Sequence, residues 1–290
     1  MATGTFKLKP YLELGRISNI PTVISNVLLG IALVSLETIS ITTVLMILSG
    51  ACFYLAGMYM NDICDYKWDM DHKNSRPLVK GVVSLKQVKL IQYSLFILAF
   101  IFYVIAININ HASIYALIYP LILLGFITWY NVDHKENVFS PILMGLCRSF
   151  LILSASALYK VDLSLNSLFL ILTYVAYTGA LTYCAKFEHT KDYQIKLIPK
   201  VFYLLAPIFL FIITKQSMFS FLILASLSAW NLYNLFLLSN KQIGKFVTNS
   251  IAAMVLIDAL IIVDDRIEWL LALLALFIFT LFFQRKIAGT

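Results

Sequence analysis

The feature that most constrains this chain is the recurrence of apolar runs long enough to cross a lipid bilayer, separated by short polar segments. A bilayer core needs about 20 apolar residues at 1.5 Å each. Windows of that kind lie at Ile17–Leu36, Ile41–Met60, Val88–Ile107, Ser113–Tyr130 and Phe139–Tyr159. Others lie at Ser167–Ala185, Leu197–Thr214, Ser217–Leu238, Phe246–Val263 and Leu270–Phe283. Only 13% of the residues are charged, 61% are apolar, and the mean hydropathy is +0.86. A soluble domain carries roughly 25% charged residues to cover its surface. The solvent for most of this chain is therefore lipid, where helices satisfy their own backbone hydrogen bonds. The pattern predicts an all-α, polytopic membrane helix bundle in one membrane-embedded domain over residues 1–290. The first run continues into a full span and reads as an uncleaved helix, not a signal peptide.

Charge then sets orientation. With the N-terminus placed inside and the spans alternating, all but four of the 22 Lys and Arg fall on the inner side. The exceptions are Lys160, Lys215 and Arg266 outside and Arg148 within a span. By the positive-inside rule both termini and the polar loops are expected in the cytoplasm, as in a bacterial-type inner (plasma) membrane. The net charge of +7 is this asymmetry; it calls for no nucleic-acid partner and suits anionic membrane lipid or an anionic headgroup. Cys52, Cys64, Cys147 and Cys184 are scattered, with neither zinc-site spacing nor a disulfide framework.

The chemistry concentrates after the second span, in Asn61-Asp62-Ile63-Cys64-Asp65-Tyr66-Lys67-Trp68-Asp69-Met70-Asp71, which holds four of the chain's 15 acids. If the second helix continues, Asn61, Asp65 and Asp69 recur every four residues and share one face. Carboxylates stacked at a helix C-terminus are unfavourable against the dipole. A hard divalent cation such as Mg²⁺, which binds one or two carboxylates together with phosphate oxygens, makes them favourable; the alternative is a solvated acidic cap. Next stands Arg76-Pro77-Leu78-Val79-Lys80-Gly81. Pro77 and Gly81 punctuate a turn, Arg76 and Lys80 suit phosphate oxygens, and Ser84 is placed to cap the third helix.

Asn61-Asp62-x-x-Asp65-x-x-x-Asp69 followed by Arg76-Pro77-Leu78 and Gly81 resembles the first signature of the UbiA superfamily of intramembrane prenyltransferases. The resemblance implies a helical bundle around a central cavity open to lipid, usually with nine helices, so nine to ten are expected here. It also implies two acidic motifs holding Mg²⁺, which grips a prenyl diphosphate while a lipophilic acceptor takes the prenyl group. Asn61, Asp65 and Asp69 would be metal ligands, with Asp62 beside them. Where the family carries its second motif, this chain has Lys186-Phe187-Glu188-His189-Thr190-Lys191-Asp192. Glu188 and Asp192 are four apart and could complete the catalytic and metal set, or belong to an ordinary charged loop. The thin second motif, with Asp258, is similar to the EboC-like branch.

Between the motifs, Trp129-Tyr130-Asn131-Val132-Asp133-His134-Lys135 and then Gly145-x-x-Arg148 are similar to the family's middle region. Arg76, Lys80, Lys135, Arg148, Lys186 and Tyr130 are the expected substrate-binding residues. Arg148 is costly inside a bilayer and must face a polar cavity or pair internally, with Asp258 as the available acid. Tyr54, Tyr59, Trp129 and Tyr130 either stabilise an allylic cation or pack at the bilayer interface. His134 and His189 are either bases for an acceptor or solvated loop residues. Two readings follow: a Mg²⁺-dependent prenyltransferase, or a carrier of prenylated lipid that keeps the fold without turnover. A phosphotransferase for nucleotide-activated alcohols is excluded by the absence of its Asp-Gly…Ala-Arg pattern.

Overall fold

The computed structural model describes residues 8–34, 39–72, 76–135, 137–161, 164–188, 195–265 and 267–287. No strand occurs among them. The helices are α1 (Leu8–Leu14), α2 (Ile20–Ala32), α3 (Ile41–Asp71), α4 (Leu85–Ile109), α5 (Ile118–Asp133) and α6 (Ser140–Ser156). They continue as α7 (Leu165–Ala185), α8 (Leu197–Phe211), α9 (Met218–Ser239), α10 (Ile243–Asp265) and α11 (Leu270–Gln284). Helix fills most of each of the ten apolar windows. By length and composition, seven helices among the described residues can cross a membrane, or eight if the bent pair at the N-terminus counts as one. The other two windows hold α6 and α8, whose 17 and 15 residues measure about 25 and 22 Å, short of a hydrocarbon core.

A bend precedes the first window, whose helical stretch runs unbroken from Ile17 to Ala32. The chain bends by 58° between Leu8–Leu14 and the helical stretch from Ile17. Arg16 sits in the left-handed region at φ 44, which an α-helix of L-residues does not contain. Pro21 then restarts the helix in its first turn, where its missing N–H is not needed.

Packing inverts the pattern of a soluble protein. On α4, Leu90, Tyr93, Ile97 and Ile101 recur at helical spacing and are 46–67% exposed, so this helix turns its apolar face outward. α10 is the reverse. It packs against α2, α7, α8, α9 and α11, and its side chains from Ala252 to Val263 are mostly buried. This is the architecture of an integral membrane protein, with α10 central and α4 and α11 bordering lipid.

Lipid offers no hydrophobic drive between helices, so close backbone approach and interhelical hydrogen bonds must hold them. A Cβ on Gly30 of α2 would stand 2.2 Å from the Ile152 carbonyl oxygen of α6, and one on Gly145 of α6 would stand 2.5 Å from Val175 Cα of α7. Between α7, α8, α9 and α10, Tyr203 OH lies 2.7 Å from Ser250 Oγ and accepts from Asn234 Nδ2 at 3.1 Å. Asn249 Nδ2 in turn donates to Asn234 Oδ1 at 3.1 Å. These buried polar side chains consume one another's hydrogen bonds inside the bundle.

Candidate functional site

α3 is one unbroken helix of 31 residues capped by Ser40, whose side chain accepts from Thr43 N–H. At 1.5 Å per residue it runs about 46 Å, so its acidic last third extends well beyond the apolar part. Asn61, Asp62, Asp65 and Asp69 are each 2–6% exposed. Asn61, Asp65 and Asp69 share one buried face, as their spacing predicts, and Asp62 is buried beside them. The turn after α3 is fixed by Gly81 at φ 66, and α4 opens on the expected Ser84 cap, which forms a reciprocal box with Gln87.

That turn carries Arg76 back across the acidic face. Its Nη1 lies 2.7 Å from Asp62 Oδ1, 3.0 Å from Asp69 Oδ2 and 3.5 Å from Asp65 Oδ2. From the turn just after α5, Lys135 Nζ reaches Asp65 Oδ1 at 2.8 Å and sits 4.0 Å over the Trp68 ring. His134 Nε2 is 3.6 Å from the same Asp65 oxygen, and its ring stacks on Tyr130 at 5.0 Å. His134 is therefore not a solvated loop residue. Burial lowers its pKa, and the Asp65 carboxylate opposes that shift.

Below this charged end lies a cavity of about 270 Å³ between Arg16 and Asn19 ahead of α2 and the helices α3, α5, α6, α7 and α10. Its wall is mainly apolar, with Arg16, Tyr54, Tyr130 and Arg148 as its large polar members. Arg16 had been read only as one of the inner positive charges. The bend at Arg16 aims its guanidinium inward, where Nη2 donates to Asn61 Oδ1 and Nη1 to Met58 Sδ, both at 3.3 Å. Arg16 thus joins the cavity to the acidic face. No local motif announces it, because its position depends on a backbone bend.

Arg148 also lines the cavity, 5.5 Å from the centre of the Tyr54 ring. Of the two placements open to Arg148, the cavity is the one found, and no direct ion pair with Asp258 forms. Asn26 stands between them, accepting from Arg148 Nη1 at 2.9 Å and donating to Asp258 Oδ2 at 2.9 Å. Tyr174 OH donates to the other Asp258 oxygen. Of the four aromatics singled out, Tyr54 and Tyr130 line the cavity. Tyr59 donates instead to the Tyr11 carbonyl, and Trp129 is 53% exposed.

The remaining expected residues divide. Lys186 Nζ donates to the carbonyl oxygens of His134 and Asn137 at 3.4 Å, which brings the end of α7 to the same mouth. Lys80 is exposed in the turn. Glu188 is exposed beyond α7 with Oε1 against Gly244 of α10, and makes no ion pair with the cluster among the described residues. Asp192 and His189 lie outside the described residues.

A metal fits the donor chemistry, because three buried carboxylates already share one cation, the Arg76 guanidinium. Among the described residues, no three acidic, imidazole or thiol groups close on a metal-sized point as they stand. Oxygens gathered around a guanidinium nitrogen at 2.7–3.5 Å are wider apart than the 2.0–2.1 Å shell of Mg²⁺. To hold Mg²⁺, the carboxylates would have to close in and Arg76 would have to give way.

Residues 23–239 match the model of the UbiA prenyltransferase family. A digeranylgeranylglyceryl phosphate synthase of Methanobrevibacter smithii is 36% identical over 92 residues, which are 32% of this chain and 32% of that protein, so the match spans about a third of the relative's length. The fold is similar to the apo structure of a UbiA homolog from Aeropyrum pernix K1, with a TM-score of 0.65 and 15% identity over 86% of this chain and 97% of that one. It is also similar to a UbiA homolog from Archaeoglobus fulgidus bound to DMAPP and Mg²⁺, with a TM-score of 0.58 and 13% identity over 87% and 98% of the two chains. The acidic face of α3 lies inside the matched segment, as do Lys135 and Arg148. The chain belongs to the UbiA prenyltransferase family.

Proposed function

We propose that this protein transfers a prenyl group from a prenyl diphosphate to a lipophilic acceptor within the membrane, in a Mg²⁺-dependent reaction. The observation that carries the reading is the convergence of Asp62, Asp65 and Asp69 on a single cation at the mouth of an apolar cavity. Asn61, Asp62, Asp65 and Asp69 would hold the metal, which supplies Lewis-acid stabilisation of the departing diphosphate. Arg16, Arg76 and Lys135 would take the remaining phosphate oxygens, as cations aimed at developing negative charge. Lys186 would add charge at the mouth; Lys80, exposed in the turn, and Glu188, turned toward α10, receive no role.

The reaction is a substitution at the allylic carbon. The C1–O bond breaks with its electron pair leaving on the diphosphate, the acceptor's nucleophilic atom bonds to C1, and the acceptor loses a proton. The apolar walls keep water from the cationic carbon, and the Tyr130 and Tyr54 rings present faces that stabilise it. The charge asymmetry of the sequence supports a cytoplasmic position for the acidic end. The UbiA homolog bound to DMAPP and Mg²⁺ supports the donor class.

The test is release of pyrophosphate from geranyl or geranylgeranyl diphosphate by purified protein in detergent, with and without Mg²⁺ and with Asp65→Ala as control. Mg²⁺-dependent release that disappears in the variant is the expected outcome. Tight binding without release across an acceptor panel would mark a carrier instead, and no binding at all would end the diphosphate reading.

A further inference from the structure

The charged end of α3 has a second side. Asn61 and the acids are buried, whereas Cys64 and Lys67, turned away from them, are exposed. Beside them α4 opens on lysines: Lys86 is its second residue, Lys89 its fifth, and its first turn holds no carboxylate. The helix dipole opposes cations at an N-terminus, and the same helix end attracts an anion. Lys67, Lys86 and Lys89 are all exposed, and none forms an ion pair among the described residues. Even Asp71, one turn beyond Lys67, does not pair with it. The patch thus carries three positive charges with no protein countercharge.

Helix direction brings these charges together. α3 and α4 run antiparallel, with Ser49 Oγ donating to the Ala99 carbonyl at 2.8 Å and the Phe53 and Phe100 rings 5.2 Å apart. Counted from Ser49, Lys86 stands level with about Asp62 and Lys89 with about Tyr59. Their backbones therefore lie about 8 and about 12 Å deeper than that of Lys67. Side chains tilt toward the N-terminus of their own helix. Lys86 and Lys89 accordingly reach toward the acidic end, and Lys67 reaches back to meet them. Lys89 is close enough to act electrostatically on the Cys64 thiol, which lies one turn before Lys67. The three ammonium groups gather along the outer seam of α3 and α4.

The seam continues into an apolar stripe. Leu90, Tyr93, Ile97 and Ile101 follow on the same face of α4 and are 46–67% exposed. Ile41–Met60 of α3 already spans about 30 Å, a full hydrocarbon core. Lysines rooted near its edge extend their stems along apolar surface and place their charges among the headgroups. A soluble anion would meet the lysines alone. A zwitterionic lipid would bring a cation of its own. An anionic phospholipid matches both parts, its phosphate facing the lysines and its chains facing the stripe.

We propose that the outer seam of α3 and α4 is a binding site for an anionic phospholipid, with Lys67, Lys86 and Lys89 holding its phosphate and the stripe from Leu90 to Ile101 receiving its chains. The site is separate from the cavity and does not rest on the prenyl diphosphate reading.

Cys64 supplies the readout. The full-length protein in maltoside detergent is treated with N-ethylmaleimide, a neutral reagent, and modification of Cys64 is followed by peptide mass. The rate is titrated with dioctanoyl phosphatidylglycerol, dioctanoyl phosphatidylcholine and glycerol phosphate. Phosphatidylglycerol is expected to shield Cys64 at a concentration about tenfold or more below that needed of phosphatidylcholine, and glycerol phosphate to shield it little. Lys67→Gln, Lys86→Gln and Lys89→Gln should each weaken the phosphatidylglycerol effect about fivefold, the scale of one basic residue beside an anionic lipid surface. The corresponding Arg variants should retain it, which separates lost charge from lost fold. Lys245→Gln, at an exposed lysine at the start of α10, should leave it unchanged. Equal shielding by the two lipids overturns the proposal, as does a preference that survives all three Gln substitutions. Glycerol phosphate as effective as the lipid would make this a site for soluble anions and overturn the lipid assignment. An equal loss in Lys245→Gln would reduce the effect to overall charge and overturn the site.

Discussion

Arg76 Nη1 lies 2.7 Å from Asp62 Oδ1, at a point it shares with Asp65 and Asp69. One guanidinium therefore offsets the mutual repulsion of three buried carboxylates. Removing one partner of such a group leaves the others as uncompensated buried charge, which is strongly destabilising.

Replacing Arg76 should therefore make the fold depend on added cation. Arg76→Gln is expected to melt below the wild type without divalent metal and to gain more from Mg²⁺ than the wild type gains. Thermal unfolding in detergent across a Mg²⁺ titration reads this. Equal Mg²⁺ shifts in the two proteins would mean that the carboxylates do not receive the ion.

Along α3 the acids should differ sharply in their effect on turnover. Asp65 is buried and contacts Arg76, His134 and Lys135, whereas Asp71 is exposed at the helix end. Asp65→Ala is expected to lower Mg²⁺-dependent pyrophosphate release roughly hundredfold or more, the scale of losing one electrostatic stabiliser. Asp71→Asn should stay within about twofold, since exposed charges interact weakly. A chelator should silence both proteins, and metal should restore the second.

Lys135 and Lys80 provide a matched pair of lysines. Lys135 is held between Asp65 and the Trp68 ring, and Lys80 is exposed in the turn. Lys135→Gln is expected to raise the KM for the prenyl diphosphate by about tenfold, equivalent to one charge-assisted hydrogen bond, while Lys80→Gln leaves it unchanged. Steady-state kinetics with donor varied at fixed acceptor checks this, and equal effects would remove Lys135 from the donor site.

Helix contact predicts the stability ranking of glycine variants. Gly30→Ala puts a Cβ 2.2 Å from a backbone oxygen of α6, where nothing can rotate away, and Gly125→Ala meets no atom within 4 Å. Gly30→Ala should cost about 3 kcal/mol, the upper part of the usual overpacking range, and Gly125→Ala should be close to neutral. Denaturant unfolding in mixed micelles measures both.

Residues joined by local spacing could be read from the chain. The acidic face of α3 follows from recurrence every four residues, the Ser84 cap and the Gly81 turn from residue chemistry within a few positions, and the apolar windows from hydropathy alone. Interactions that depend on distant segments could not be read. Asn26 and Asp258 are 232 positions apart, and no periodicity connects an amide in α2 with an acid in α10. Arg16 was legible as a charge but not as a cavity wall, because its direction comes from a single left-handed residue. Gly30, inside an apolar run, likewise gave no sign that a carbonyl of α6 lies against it. Glu188 and Asp192 share a helical face only if the helix continues, yet α7 ends at Ala185.

From Ile41 to Asn61, α3 rises about 30 Å, the thickness of a hydrocarbon core, and the acids occupy only what lies past it. A lipid diphosphate resting in a leaflet has its charge and its chain divided at the same height. Loading this protein would thus require sideways movement and little vertical movement: the headgroup stays hydrated until it meets the carboxylates, and the tail slides from one oily medium into another. Lengthening α3 by one turn between Ile41 and Asn61 would lift the acids about 5 Å away from that level, and the substrate would have to be drawn out of the bilayer to reach them.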